Sequence, residues 1–293
     1  MDLLKVIEEI EKVDPEFQDK ISPRRAAIKN ITSFGSKVAV AALPFALGSL
    51  FKKAYAQQPT STIVTVLNYA LQLEFLESNF YNAGLNTAAY AAMKATLSAS
   101  ELAGLNLITT DEAHHVTYLQ TVITSLGATP VSFTAANFDF TAQGTFPTVY
   151  SSSDTWLAVA ETFEDTGVRA YKGQAPALLR NKTVLTAALD IHSVEARHAS
   201  HLRMLRRARM LATGTTSAAA IRPWITGAND TGIGSAVDGS YAGEDNVMQG
   251  PVNVTTLASV SGSSTSAMVA SQAFDEPLDM ATVVKIVTPF FKS

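Results

Sequence analysis

Glu112-Ala113-His114-His115 and Glu195-Ala196-Arg197-His198 repeat one step, a glutamate followed three residues later by a histidine, on two separate stretches of helical periodicity. Three residues turn an α-helix through about 300°, so the two side chains leave one face as neighbours. Carboxylate with imidazole is a ligand set for divalent first-row metals. Random placement of the nine glutamates and five histidines beyond residue 56 would yield on the order of 0.2 such pairs, so two are informative.

Each step has a lone glutamate about one helix upstream. Aligning Tyr81 with Tyr171 sets Glu74 opposite Glu164, whereas Glu77 falls opposite Gly167 and Glu161 opposite Leu71. Only Glu74 and Glu164 are shared by both halves. A bundle that takes one glutamate from each of two helices and a Glu-x-x-His from each of the other two can hold two metals in its core. The candidate ligands are therefore Glu74, Glu112, His115, Glu164, Glu195 and His198.

All six interrupt apolar stripes. Ile108, Glu112, His115 and Leu119 keep the spacing of a buried helix face, as do Leu67, Ala70, Glu74 and then Glu77 or Tyr81. Leu157, Ala160, Glu164 and Val168 repeat it, and Leu185, Leu189 and His192 lead through Glu195 and His198 to Leu202. Burying an isolated charge costs several kcal/mol. Four buried carboxylates need either two divalent cations or raised pKa values and ordered water. The chain has no cysteine, which excludes disulfides, thiolate ligands and iron–sulfur clusters. Oxygen and nitrogen donors suit two iron or manganese ions, with zinc as a competitor.

The formal charge of −4 divides unevenly. Residues 1–56 carry nine basic and seven acidic side chains, and the remainder thirteen and nineteen. A mildly acidic body argues against nucleic acid as a partner. The basic cluster Arg203, Arg206, Arg207 and Arg209 is expected to be solvated near a helix C-terminus. Residues 1–56 read as an address: Ser22-Pro23-Arg24-Arg25 resembles a twin-arginine export motif, followed by an uncharged Val38–Phe51 stretch and Ala54-Tyr55-Ala56. Cleavage after Ala56 and a periplasmic or extracellular location are the expectation, with an uncleaved membrane anchor as second choice. The export machinery is then a partner.

Residues 57–214 are expected to hold four helices: Thr60 to about Leu85, Ser98 with a Glu101 capping box to Gly127, Ser153 or Asp154 to Gly173 and Pro176, and Lys182 to Gly214. Ala128–Tyr150 is a long crossover with room for a short hairpin. Residues 215–293 are a loop-rich extension with Trp224 and Tyr241 as anchors. It ends in a helix that starts at Asp275-Glu276-Pro277 and docks on the bundle.

Leu71-Gln72-Leu73-Glu74, the two Glu-x-x-His steps, Glu164-Asp165, Ala170-Tyr171-Lys172-Gly173 and Phe274-Asp275-Glu276-Pro277 together resemble the ferritin-like family of exported bacterial proteins that includes plant desiccation-related proteins. The likeness spans about Thr60 to Ser293. It implies an all-α fold, a ferritin-like four-helix bundle with a long crossover between helices 2 and 3, and the loop-rich extension. It also implies roles: Glu112 and Glu195 bridge or chelate, Glu74 and Glu164 each hold one metal from outside, and His115 and His198 complete the set. Asp111 resembles the acid that orients a ligand histidine on the opposite helix, while Val194 stands at the matching place before Glu195. Arg197 matches the arginine common before the ligand histidine.

His192, one turn before Glu195, is a further group near the ligands, with a hydrogen-bonded core role favoured. Tyr81 and Tyr171 either serve as redox or hydrogen-bonding residues near the ligands or close the core with their hydroxyls at its rim, and the second reading is favoured. Two function classes follow: a di-metal oxidoreductase acting on iron(II) with oxygen, or on peroxide, and a non-catalytic stress or desiccation-related protein that keeps the bundle with or without metal. A homo-oligomer is compatible with either.

Overall fold

Four long helices carry the chain's apolar stripes. The computed structural model describes residues 60–216, 220–225, 227, 229–257 and 265–292; the export segment expected at residues 1–56 lies outside them. Helix α1 is Thr60–Asn86, α2 Ala99–Ser125, α3 Ser153–Leu178 and α4 Lys182–Ala212. None of the described helices is long and apolar enough to cross a membrane.

Local chemistry sets the ends. Ser98 and Glu101 form the capping box of α2, with Ser98 N donating to Glu101 Oε2 at 2.6 Å and Glu101 N to Ser98 Oγ at 3.3 Å. Ser152 caps α3 and Asn181 caps α4 through the same kind of side-chain acceptor. Gly127, at φ +75°, lies just past the end of α2, where an L side chain would be strained.

α1 packs against α2 and α3, and α3 against α4. α3 is apolar or buried nearly all round from Trp156 to Tyr171, as a helix covered on every side must be. Gly84 lets Trp156 lie against α1; a Cβ there would come within 2.4 Å of the indole nitrogen.

The crossover departs from the expected hairpin. It contains a 3-10 turn at Ala135–Asn137, and its strand-like pairing is a single bridge from Phe138 to Phe291 near the C-terminus. Aromatic packing replaces a ladder. Phe138 and Phe133 meet Phe291, and Phe290 meets Phe163 of α3. The described hairpin lies in the extension instead, a two-residue ladder of Met248–Gln249 with Val252–Asn253.

The terminal helix α5 is Met280–Val287, capped by Asp279, whose Oδ1 accepts from Thr282 N at 2.9 Å. It starts later than Asp275-Glu276-Pro277, because residues 275–278 run extended along α3. There Leu278 N donates to Arg169 O at 3.1 Å. Gly173 is accordingly no helix breaker. A Cβ on it would fall 1.9 Å from the Leu278 carbonyl oxygen, so its missing side chain is the space the terminal segment occupies. Trp224, expected as an anchor, is half exposed, whereas Tyr241 is fully buried.

Gly173→Ala is expected to destabilise the protein by about 1–3 kcal/mol, since backbone rather than a flexible side chain must yield. Thermal unfolding measures the loss; an unchanged midpoint would mean that the terminal segment does not dock there.

Candidate metal centre

The bundle brings one glutamate from α1, one from α3 and a Glu-x-x-His pair from each of α2 and α4 to a common interior point. Glu74, Glu112, Glu164 and Glu195 have no exposed surface, and His115 and His198 are buried. Two sets of side chains each offer ligand atoms within 4.8 Å of one another: Glu74, Glu112, His115 and Glu195, and Glu112, Glu164, Glu195 and His198. Glu112 and Glu195 belong to both.

Glu112 spans the two histidines. Its Oε1 lies 2.9 Å from His198 Nδ1 and its Oε2 3.4 Å from His115 Nδ1. His115 Nδ1 also lies 3.1 Å from Glu74 Oε2 and 3.3 Å from Glu195 Oε1, and His198 Nδ1 3.2 Å from Glu164 Oε2. The contacts to Glu112 and Glu195 are close but misaligned. All four oxygens of these two carboxylates are buried and accept no hydrogen bond.

Both rings thus turn Nδ1 toward carboxylates. His198 Nε2 faces Asp111 Oδ2 at 3.2 Å, and a carboxylate can only accept, so the proton belongs on Nε2. That leaves a lone pair at Nδ1 among carboxylate oxygens, a repulsive arrangement unless a cation or a second proton lies between them. Val194, the counterpart of Asp111 before the second pair, has no carboxylate to offer.

The outer pair is held by tyrosines. Tyr81 of α1 donates to Glu164 Oε1 of α3 at 2.5 Å, and Tyr171 of α3 donates to Glu74 Oε1 of α1. These hydroxyls point inward rather than sitting at the rim. Burial, reinforced by Glu164 at Tyr81 and by Glu74 at Tyr171, raises both phenols well above their ordinary pKa, so both remain donors. Their register relation was visible in the sequence; the direction of the hydroxyls was not.

Glu77 is a fifth buried glutamate in this interior, and burial together with the charge of Glu195 raises it well above the carboxylate range. A Cβ on Gly167 would lie 2.7 Å from Glu195 Oε2 and 3.3 Å from Glu77 Oε1. The position that answers Glu77 in the other half must therefore lack a side chain. Aligning the halves exposes the pair Glu77 and Gly167, but only packing shows that one accommodates the other.

Two other expected contributors stand apart. Arg197 is exposed and touches none of the six, since it lies one residue off the inward stripe of α4. His192 Nδ1 sits 3.0 Å from the Val168 carbonyl, so this half-buried histidine ties α4 to the backbone of α3. Upstream on α4 the buried positions are Val184 and Ile191, whereas Leu189 is 45% exposed and Leu185 half-buried. The arginine cluster is not solvated: Arg203 is buried against Asp165, and Arg206 pairs with Glu161 Oε2 at 2.8 Å. Arg209 reaches Asp154 and Glu101.

The family profile of the ferritin-like domain matches residues 62–208, just over half of the 293 residues. The chain belongs to the ferritin-like family. No curated protein and no solved structure gives a significant match. The ferritin-like domain covers all six clustered residues, and their arrangement is compatible with metal binding.

Without a cation the cluster keeps protons instead. Burial, with Glu164 and Glu74 nearby, pushes Glu112 up to about 7, and burial with Glu112 pushes Glu195 well above the carboxylate range. Burial opposes ionisation of Glu74, but His115 outweighs it and holds that carboxyl below its ordinary value. Burial also opposes charge on His198, yet the carboxylates of Glu164 and Glu112 push it up to about 12.

A group whose folded pKa is raised stabilises the fold below its unfolded pKa and loses that contribution as pH rises through the folded value. For Glu112 the window runs from its ordinary 4.5 to about 7, and for His198 from 6.5 to about 12. The metal-free ferritin-like protein should therefore melt at progressively lower temperature between about pH 5 and pH 8, and the decline should flatten once metal replaces the protons. Melting curves with and without chelator test this. A metal-free protein that gains stability over that range would contradict the burial of the carboxylates.

Proposed function

We propose that this is an exported ferritin-like protein whose six clustered side chains hold two iron or manganese ions and support oxidation of iron(II) by oxygen or consumption of peroxide. The supporting observation is that Glu112 and Glu195 are common to both ligand sets and keep four buried oxygens without hydrogen bonds. Two divalent cations offset four carboxylate charges and relieve those orphaned acceptors together.

Glu112 and Glu195 would be shared by the two ions. Glu74 and His115 would belong to one, and Glu164 and His198 to the other. When bound, the pair of ions would supply Lewis acidity and electron transfer. The chain's own contribution is positional. Tyr171 and Tyr81 each fix one oxygen of the outer glutamates and leave the second free to turn inward. Asp111 orients the His198 ring and is half exposed, which also gives it a path to exchange protons with solvent. The apolar residues around the cluster keep bulk water away and strengthen every charge interaction within it.

Export through the twin-arginine route, with cleavage after Ala56, completes the reading. That route carries folded proteins, so metal could be inserted before export. The N-terminus of protein recovered outside the cytoplasm tests it: a chain starting at Gln57 agrees, and an intact Met1 in the cytoplasm does not.

Metal content distinguishes the ligand roles. Glu112→Gln should remove both ions from a protein that otherwise holds about two per chain, whereas Glu74→Gln or Glu164→Gln should remove about one. Elemental analysis beside rates with iron(II) and with hydrogen peroxide reads the result. Equal loss from all three variants would refute the shared role of Glu112, and stoichiometric metal without turnover in the unmutated protein would favour the non-catalytic alternative.

A further inference from the structure

One turn along the bundle from the ligand cluster the core is not filled. A cavity of about 20 Å³ lies between all four helices, and its lining is almost wholly carbon. Its inner wall includes Ala70, Leu119, Ile191 and Tyr171. Three of these are four residues from a clustered ligand on the same helix: Ala70 from Glu74, Leu119 from His115 and Ile191 from Glu195. At that spacing they share the ligands' face, about 6 Å along the axis. Tyr171 closes the gap, with its ring on the cavity and its hydroxyl on Glu74. Toward the outside, half-buried Tyr118, Gln174 and Ala188 form a rim between α2, α3 and α4.

We infer that this cavity is a binding site for a small apolar gas, dioxygen by chemical class, positioned to feed the centre from the Tyr171 side. A space of this size admits a water-sized molecule, but water needs two to four polar partners, and although Tyr69, Tyr118 and Gln174 stand in the lining, polar atoms make up almost none of the surface it presents. Dioxygen needs none and gains dispersion contacts from a close-fitting carbon surface. Hydrogen peroxide, with two donors and four lone pairs, is disfavoured on the same ground. The alanines at positions 70, 170, 187 and 188 keep the space open, since a larger side chain at any of them would project into a lining already in contact. Gas binding is independent of the metal; its link to turnover rests on the function proposed above.

Xenon serves as the probe because it is apolar, comparable in size and visible. Crystals of the full chain pressurised with xenon should show a site bounded by Ala70, Leu119, Tyr171 and Ile191. Ordered water there, or xenon only elsewhere, would overturn the inference. Ala188→Leu, at the half-buried rim and away from every clustered ligand, should abolish that xenon site and slow oxygen-dependent oxidation several-fold, while metal content and the rate with peroxide stay unchanged. An unaltered oxygen-dependent rate in a variant that has lost xenon would refute the feeding role. Absence of any turnover in the unmutated protein would instead refute the redox reading and leave the xenon result to decide the cavity.

Discussion

Negative charge enclosed in an apolar bundle is the constraint around which this protein is built. Glu74, Glu112, Glu164 and Glu195 sit with no exposed surface beside a nearly buried Glu77, at a cost no ordinary core would sustain without compensation. Compensation is partial within the chain itself. Two histidines and two tyrosines engage the cluster, yet both oxygens of Glu112 and of Glu195 are left without donors. Those two carboxylates are the ones common to both ligand sets, so the deficit and the shared position coincide.

The two halves of the bundle obey one pattern and then diverge where it matters. The tyrosine clamps cross reciprocally, Tyr81 to Glu164 and Tyr171 to Glu74. Around that symmetric frame, Glu77 has Gly167 as its counterpart, and Asp111 has Val194. Glu77 thus adds a carboxylate beside the shared Glu195, and Asp111 fixes His198 from behind. The two halves of the cluster are therefore not electrostatically equivalent.

α3 couples this interior to the extension. Glu164 faces the cluster, while the adjacent Asp165 faces Arg203 and accepts from Tyr241 at 2.6 Å. One turn further, Arg169 is fully buried and donates to the carbonyls of Glu276 and Ala242, each at 2.7 Å, besides pairing with Glu244. The loop-rich segment after the bundle is therefore held by charge-assisted hydrogen bonds to the helix that carries a candidate ligand. Removing one member of such a buried set leaves its partner uncompensated, so the extension and the bundle stabilise one another.

Periodicity and spacing sufficed for the four long helices, their caps at Ser98 and near Ser153, and the six residues that converge. Ligand spacing of three and apolar spacing of three and four are properties of a single helix and need no neighbours to be read. What depended on neighbours was decided only by packing. Leu189 fits the α4 stripe on paper but is nearly half exposed, because a three-or-four spacing cannot say which edge of a stripe the adjacent helix covers. Gly173 resembles a stop signal until Leu278 is placed against it. The arginines after His201 look like a solvated helix end until Asp165, Glu161 and Asp154 arrive from α3 and its first turn. The tyrosine hydroxyls, the space at Gly167 and the apolar cavity beside the ligands all arise from side chains far apart in sequence. Helical periodicity says which face a residue lies on; only the assembled bundle says what it meets there.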